Sequence, residues 1–108
     1  MSHLEINERQ TEEGVVLDLT GDIIFGEANT VLRDAIRNRL RAGRSNITLN
    51  LDKVGYLDSA GMGELISALT AINRENGRLV LMNPGDRIMR LFEISKLTEI
   101  FEIESSES

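Results

Sequence analysis

The chain of 108 residues is 41% hydrophobic, which is the size and composition of one domain with a single aliphatic core. Its formal net charge of −6 argues against nucleic acid as the main partner, since phosphate binding needs a basic surface. Cysteine is absent and His3 is the only histidine, so we expect no Ser-His-Asp triad and no metal site of cysteines or of several histidines. We also expect no bound cofactor.

The first half of the chain alternates between strand and helix patterns. Residues 4–9 and 15–20 are two expected strands, separated by a cluster of turn-forming residues. From Glu27 the apolar residues recur at helical spacing, and Gly43 marks the expected end of that helix. Residues 47–51 then alternate between apolar and polar side chains, which predicts a third strand.

The second half continues this alternation. A second helix that ends at Gly77 is predicted by an apolar stripe at helical spacing, namely Met62, Leu65, Ile66, Leu69 and Ile72. Residues 79–82 predict a buried strand. Asp86 is the expected cap of a third helix, and residues 100–103 are expected to form a last strand. The apolar positions of the third helix are Ile88, Leu91, Phe92 and Ile94.

The predicted element order is β-β-α-β-α-β-α-β. It indicates a single α/β domain over residues 1–108, with a mixed central sheet and helices packed against it through right-handed crossovers. We expect residues 4–104 to be ordered and the acidic tail after them to be flexible.

The sequence contains no signal for insertion into a membrane or export across one. No apolar run approaches the roughly 18 residues of a membrane span. Residues 1–5 contain no basic region followed by an apolar stretch, so they are not expected to form a signal peptide. We therefore expect a cytoplasmic protein without a membrane partner.

The most informative segment is residues 55–64, Gly-Tyr-Leu-Asp-Ser-Ala-Gly-Met-Gly-Glu, between a strand pattern and an amphipathic helix. Functional surface collects at the carboxyl ends of strands in open α/β sheets, and Ser59 is expected at such an edge. Its small neighbours leave a smooth patch that another protein can approach closely. A phosphate on Ser59 would add roughly −1.5 to −2 charges beside Asp58, and the helix N-terminus would stabilise it by about 0.3–1 kcal/mol.

Phosphorylation at this position would act on an interface and leave the fold intact. Burying a dianion without a matched cation costs several kcal/mol, and a cost of ~4 kcal/mol weakens binding roughly a thousandfold. The structural alternative is that Ser59 is only a helix N-cap, a role that serine often fills. The residue three positions later is Met62 rather than Glu or Gln, so a capping box does not support that alternative.

Three segments carry a resemblance to a known family: residues 19–23, Leu-Thr-Gly-Asp-Ile; residues 47–52, Ile-Thr-Leu-Asn-Leu-Asp; and residues 56–63, Tyr-Leu-Asp-Ser-Ala-Gly-Met-Gly. They resemble the STAS domain, and in particular the bacterial anti-sigma-factor antagonists. Residues 90–97 are similar to that family's third-helix pattern. The resemblance covers nearly the whole chain, and its Asp-Ser-x-Gly-x-Gly element is fairly specific in a strand-turn-helix setting.

The resemblance implies a mechanism of partner switching. The unphosphorylated antagonist binds a cytoplasmic anti-sigma factor, a serine kinase of the GHKL ATPase type, and the sigma factor is released. The kinase then phosphorylates the antagonist's serine, which breaks the complex, and a PP2C-type phosphatase resets it. The domain would thus regulate sigma-factor-dependent transcription as a phosphoacceptor and would catalyse nothing.

The same resemblance implies the site residues. Ser59 matches the phosphoacceptor and Asp58 the aspartate before it, while Gly61 and Gly63 match glycines of the contact surface. The residues expected to bind the partner are Asp22, Asp58, Ser59, Ala60, Gly61, Met62 and Gly63.

Two departures from the family leave other functions open. Ala60 replaces a second serine that many relatives carry, so Ser59 is the only hydroxyl candidate in the turn. Ile24 replaces a common aspartate, which favours the alternative of a constitutive STAS scaffold subunit in a stress-sensing or lipid-transport complex.

An enzyme with Ser59 as nucleophile would need a base, and His3 is poorly placed to serve. Pairing of an exposed first strand would promote a homodimer, an option that the sequence leaves open.

Three further features have both a functional and a structural interpretation. The arginines of the first helix could bind an acidic partner or an anionic membrane, or form a solvated face balanced by acids elsewhere; they are Arg33, Arg37, Arg39, Arg41 and Arg44. Asp18, Asp22 and Asp52 could hold Mg²⁺, although their spacing follows no ion-binding loop. Met62 could serve an interface, but its helical phase favours the core.

Overall fold

The computed structural model of the chain describes residues 3–105 and contains one five-stranded sheet. Its strands are β1 (Glu5–Thr11), β2 (Gly14–Ile23), β3 (Asn46–Leu57), β4 (Arg78–Met82) and β5 (Glu102–Glu104). They lie in that order across the sheet, with β1 antiparallel to β2 and all other neighbours parallel. Part of the tail that we expected to be flexible, residues 106–108, lies outside the described residues.

Three α-helices connect the parallel strands: α1 (Glu27–Arg41), α2 (Ser59–Arg74) and α3 (Asp86–Ile94). Every crossover moves the same way along the strand order, so right-handed connections place all three helices on one face of the sheet. The helices bury their apolar stripes there. Buried residues of all three, including Leu32, Leu65 and Phe92, form one core with the sheet. The predicted α/β fold and element order are confirmed.

The opposite face of the sheet is not covered by a helix within residues 3–105. Alternate residues of a strand point to opposite faces, so Val16, Thr48 and Val80 point away from the helices. They help to line a broad hollow of about 680 Å³ whose walls consist of strand and turn residues. This helix-free face is therefore a second large surface, separate from the helical layer.

Two strands extend at least three residues beyond their predicted ends. β2 continues past Thr20 to Ile23, and β3 continues past Leu51 to Leu57. Ile23 pairs with Leu57 and both side chains are buried, but two register shifts interrupt the pairing before that point. In β2 the apolar run is interrupted by Gly21. The extra residues lie in β3, where Leu51, Val54 and Leu57 are buried at intervals of three rather than two, so the alternating pattern ended early there. As a result, β3 leads directly to Asp58, where a loop was expected.

The third helix has the predicted extent, but its predicted cap is wrong. Gly85 is the N-cap, and Asp86 is the first helical residue and makes no capping hydrogen bond. Asp86 instead lies in the first turn, where a negative charge interacts favourably with the helix dipole. Ile94, which we placed on the apolar stripe, is 73% exposed at the end of the helix.

The last strand begins two residues later than predicted. A 3-10 helix at Leu97–Glu99 turns the chain after α3, so that β5 spans Glu102–Glu104. The turn places Phe101 in the core, where its ring centroid lies 5.8 Å from that of Phe92. Burial of an aromatic side chain, rather than strand pairing, accounts for the apolar character at this position.

Candidate functional site

Ser59 is the first residue of α2 and lies at the carboxyl end of β3, as predicted. Its side chain is exposed, and its hydroxyl makes no hydrogen bond to any residue in the part of the chain that the structure describes. The N-cap of α2 is Asp58, so the structural alternative that Ser59 is the cap is wrong. The hydroxyl is thus free of a structural role and accessible from outside.

Asp58 holds the junction between β3 and α2. Its Oδ1 accepts a hydrogen bond from the Gly61 amide at 2.8 Å, and its Oδ2 accepts one from the Phe25 amide at 3.0 Å. These backbone donors, Phe25 first and Gly61 second, lower the pKa of the Asp58 carboxyl, because they stabilise its ionised form. One carboxylate therefore caps α2 and also ties the segment between β2 and α1 to it.

The two glycines that follow Ser59 have different surroundings. Gly61 is buried, and a Cβ built there would lie 2.0 Å from the carbonyl oxygen of Ile23 and 2.8 Å from Cδ1 of Leu57. Gly63 is exposed, and a Cβ there would meet nothing within 4 Å. Close packing on β2 requires glycine at position 61, whereas at position 63 glycine keeps the surface low. A role for Gly61 in partner contact stays a prediction.

Ala60 and Met62 connect the turn to the neighbouring helices. The carbonyl oxygen of Ala60 accepts a hydrogen bond from Asn29 Nδ2 of α1 at 3.1 Å. Met62 is partly buried against the core, and its Sδ lies 3.9 Å from the hydroxyl of Ser95, just after α3. The partial burial of Met62 agrees with the prediction that it packs in the core. Its contact with Ser95 shows that the end of α3 lies close to the turn.

Asp22 is the predicted partner-binding residue that lies outside the β3–α2 junction. It is on β2, partly buried, and its Oδ1 lies 3.3 Å from the place where a Cβ of Gly55 would be. Gly55 precedes Asp58 by three residues along β3. The structure therefore places Asp22 over the neighbouring strand, and its contact with a partner stays a prediction.

Four exposed apolar side chains lie on the segments that meet at or lead away from the Ser59 turn, and their exposure was not predicted. They are Phe25, Tyr56, Ile66 and Ile94, which are 82%, 46%, 38% and 73% exposed. Phe25 adjoins the turn through its bond to Asp58, Ile66 lies one helical turn beyond Met62, and Ile94 precedes Ser95. Ile66 and Ile94 were assigned to buried stripes because their spacing is helical. We call these four residues the apolar ring.

A buried carboxylate on the other side of α2 was also missed. Glu64 is 6% exposed and forms an ion pair with Arg33 of α1, with Nη2 and Oε1 2.8 Å apart. Asn29 Nδ2 donates to the same oxygen at 3.2 Å while it also binds Ala60. Glu64 follows Gly63 in a motif otherwise assigned to the surface, and only the pairing of α1 with α2 explains its burial. The seam between the two helices thus supports the Ser59 turn.

The basic stripe of α1 is partly used in contacts within the chain. Arg33 pairs with Glu64 and Arg39 pairs with Glu8 of β1, which agrees with a face balanced by acids. Arg41 donates to Asn38 on the same helix.

The structure does not assemble the three aspartates considered for Mg²⁺. Asp18 binds Arg9, with Nε and Oδ2 2.5 Å apart, and accepts from Asn50 at 2.8 Å. Arg9 lowers the pKa of Asp18. Within residues 3–105, no group of three or more His, Cys, Asp or Glu side chains is placed to hold a metal ion.

Two further predictions were that His3 is poorly placed to act as a base for Ser59 and that no segment spans a membrane. His3 Nδ1 lies 3.7 Å from Glu27, and both side chains are exposed. No base contacts the Ser59 hydroxyl among the residues that the structure describes. Over the same residues, no helix combines the length and apolar character that a membrane crossing requires.

Residues 5–108 match the STAS domain. The chain belongs to the STAS domain family. The anti-sigma-B factor antagonist of Listeria monocytogenes is 32% identical over 108 residues, which cover 96% of this chain and 90% of that protein. An anti-sigma factor antagonist from Mycobacterium paratuberculosis has a similar structure, with a TM-score of 0.82, 19% identity and coverage of 94% and 86% of the two chains.

A second structural match is the phosphorylated form of the Bacillus cell fate determinant SpoIIAA. Its TM-score is 0.72 at 24% identity, over 100% of this chain and 93% of that one. The resemblance to STAS domains and the fold that it implied are thus confirmed. In this STAS domain, the Asp-Ser-x-Gly-x-Gly element forms the junction where β3 meets α2.

Proposed function

We propose that this STAS domain is an anti-sigma-factor antagonist whose partner docks on the surface around Ser59. The observation that carries the proposal is an exposed, unbonded hydroxyl at the start of α2, with the apolar ring on the segments that adjoin it. Exposed apolar side chains clustered at one place are typical of protein interaction sites. The name of the Listeria relative supports the same class of function.

The proposed partner is an anti-sigma factor that is also a serine kinase of the GHKL ATPase type. Ser59 is the proposed phosphoacceptor, and a PP2C-type phosphatase would remove the phosphate. The domain itself would catalyse nothing and would need no cofactor, because the kinase binds the ATP from which the phosphate is transferred. The exchange would take place in the cytoplasm.

The geometry supports a switch that acts on the interface. A phosphate on Ser59 would add roughly −1.5 to −2 charges, next to the ionised Asp58. The side chains of the apolar ring carry no positive charge, so a partner that brings no cation against Ser59 would bury the dianion there at a cost of several kcal/mol. A cost of ~4 kcal/mol corresponds to roughly a thousandfold loss of affinity. The fold would be unaffected, since the Ser59 side chain makes no internal hydrogen bond.

The first test is an affinity pull-down from the native cells with four baits, followed by mass spectrometry. Wild type and Ser59→Ala are expected to retain the partner, and Ser59→Asp is expected to lose it. Ser67→Asp is the matched control, because Ser67 is also exposed on α2 but lies two turns further along. A partner lost equally with both aspartate variants would contradict a specific effect at Ser59.

A second test uses the kinase recovered in this way. With ATP, it is expected to phosphorylate the wild type and to leave Ser59→Ala unmodified. Equal incorporation of phosphate into both proteins would overturn the assignment of Ser59.

A scaffold role is the second candidate, and the helix-free face of the sheet favours it. That face offers a broad hollow of about 680 Å³, and β1 is the edge strand beside it. A constitutive complex or a homodimer through these elements would not depend on Ser59. Partners that are unchanged by Ser59→Asp, or a dimer mass in light scattering, would support this candidate.

A further inference from the structure

A groove beside the apolar ring combines arginine side chains with apolar ones, and the Ser59 turn contains no arginine. It has a volume of about 370 Å³ and is lined by Tyr56 at the end of β3 and by residues of α3, namely Asp86, Arg87, Arg90, Leu91 and Ile94. Tyr56 and Ile94 also belong to the apolar ring, so the groove is continuous with the surface around Ser59. We call it the Tyr56–α3 groove.

The two arginines of this groove have no partner in the described part of the chain. Arg87 and Arg90 are exposed and form neither an ion pair nor a hydrogen bond with any residue there. Arg9, Arg33, Arg39 and Arg78 are each paired with a carboxylate, whereas Arg37, Arg44 and Arg74 are as unpaired among the described residues as Arg87 and Arg90, but do not line this groove. Arg87 and Arg90 are three positions apart, so they lie on adjacent parts of the helix surface. Two unpaired guanidinium groups thus border an apolar groove on a chain with net charge −6.

We propose that the Tyr56–α3 groove binds an acidic segment of the partner that carries an apolar side chain between its carboxylates. The apolar side chain would lie between Tyr56 and Ile94, and the carboxylates would pair with Arg87 and Arg90. Guanidinium groups bind carboxylates with two parallel hydrogen bonds, and aromatic and arginine residues are common anchors of interfaces. This inference rests on the proposed function, since it assigns the groove to the partner that docks around Ser59.

The ligand class follows from the combination of charge and apolar surface. A small inorganic anion would satisfy the arginines but would leave Tyr56, Leu91 and Ile94 uncovered. A peptide with both acidic and apolar side chains covers the two kinds of surface at once. Asp86 lies at the amino end of α3 and would repel acidic residues there, so the segment is expected to keep its charges near Arg87 and Arg90.

The test is a titration of the isotope-labelled chain with two synthetic peptides, followed by two-dimensional NMR. One peptide contains alternating glutamate and leucine with blocked ends, and the other has lysine in place of glutamate. The glutamate peptide is expected to shift the amide signals of Tyr56, Arg87, Arg90, Leu91 and Ile94, with weaker binding at higher salt. The lysine peptide is expected to leave these signals unchanged.

Matched variants make the result specific. Arg87→Glu combined with Arg90→Glu is expected to weaken binding of the glutamate peptide by about tenfold or more, because like charges then face each other. Arg37→Glu combined with Arg44→Glu changes the net charge equally, and is expected to have little effect. Both of these control residues are exposed, on α1 or just after it. Shifts outside the groove, equal binding of the lysine peptide, or equal loss in the control would overturn the inference.

The outcome is separate from that of the proposed function. If Ser59→Asp abolishes binding of the kinase while the glutamate peptide leaves the amide signals of the groove unchanged, only the assignment of the groove fails. If the peptide binds the groove but no partner responds to Ser59→Asp, the proposed switch fails.

Discussion

Gly61 and Gly63 are two residues apart on α2, yet they face opposite environments. A side chain at Gly61 would collide with the backbone of β2, whereas a side chain at Gly63 would project into open space. The same contrast holds for the whole first part of the helix. One side carries Gly61 and the buried Glu64, and the other carries the exposed Ser59 and Ile66. A single motif therefore contains residues that build the fold and residues that leave a surface available.

The largest effect is expected from Gly61→Ala. The added Cβ would lie 2.0 Å from the carbonyl oxygen of Ile23, so the backbone has to move. We expect a loss of about 3 kcal/mol in the free energy of unfolding, measured by urea denaturation. Gly63→Ala is the matched control. It lies inside the helix without a steric obstacle and is expected to stabilise the protein by up to about 1 kcal/mol. Equal destabilisation by both variants would contradict the difference in packing between positions 61 and 63.

A smaller effect is expected from Glu64→Ala, which tests the buried side of α2. The change leaves Asn29 and Arg33 without their shared acceptor and opens a gap between α1 and α2. Arg33 is 44% exposed and can be solvated, so we expect a loss of about 2 kcal/mol rather than the full cost of a broken buried ion pair.

Ile66→Ala, two residues further along the exposed side, is the control for Glu64→Ala. It is expected to change stability much less and to weaken partner binding instead. If Glu64→Ala were neutral in thermal unfolding, the seam between α1 and α2 would not support the turn.

A loss of about 1 kcal/mol is expected from Asp58→Ala, which removes the N-cap of α2. The amides of Gly61 and Phe25 would lose their acceptor, and the segment after β2 would no longer be tied to the helix. The amide exchange rates at Phe25 and Gly61 are therefore expected to rise together. Exchange that rises at Gly61 alone would show that Asp58 does not connect the two segments.

The smallest effect concerns pH. Backbone hydrogen bonds lower the pKa of Asp58 in the folded protein, so the unfolded chain takes up the proton first as pH falls. The contribution of Asp58 to stability is therefore complete above the ordinary aspartate pKa of about 3.9, and it is lost as pH falls through the lower folded value.

Asp58→Asn keeps a capping oxygen but does not titrate in this range. The difference in unfolding free energy between wild type and this variant is expected to shrink as the solution is acidified. A difference that is constant with pH would contradict the role of the ionised carboxylate.

The fold could be predicted from the sequence because its signals are local. Alternation in β2 and β3 and helical spacing in α1 and α2 result from burying one side of each element, and they identify the element order without tertiary information. The extensions of β2 and β3 could not be predicted. Ile23 and Leu57 pair only after register shifts, and a periodic pattern does not record such shifts.

The candidate site was predicted only in part, for a related reason. The position of Ser59 at a strand-to-helix junction follows from the order of the elements. The cap that Asp58 forms on Gly61 is local, but its second hydrogen bond reaches the amide of Phe25, which is 33 residues away in the chain. Ile66 and Ile94 have the spacing of buried residues, yet the structure leaves both exposed, because burial depends on which other segments pack against a helix.

The sequence by itself determined the α/β fold, the STAS family and the place of Ser59 at the end of β3, because these depend on periodicity and on a contiguous motif. Only the tertiary structure decided which side of α2 is buried, since that depends on how α1 and β2 pack against it. In the folded domain Gly61 and Glu64 are buried, whereas Ser59 and Gly63 are exposed to solvent. Side-chain exposure depends on contacts between segments that are distant in the chain, and those contacts leave no local pattern in the sequence.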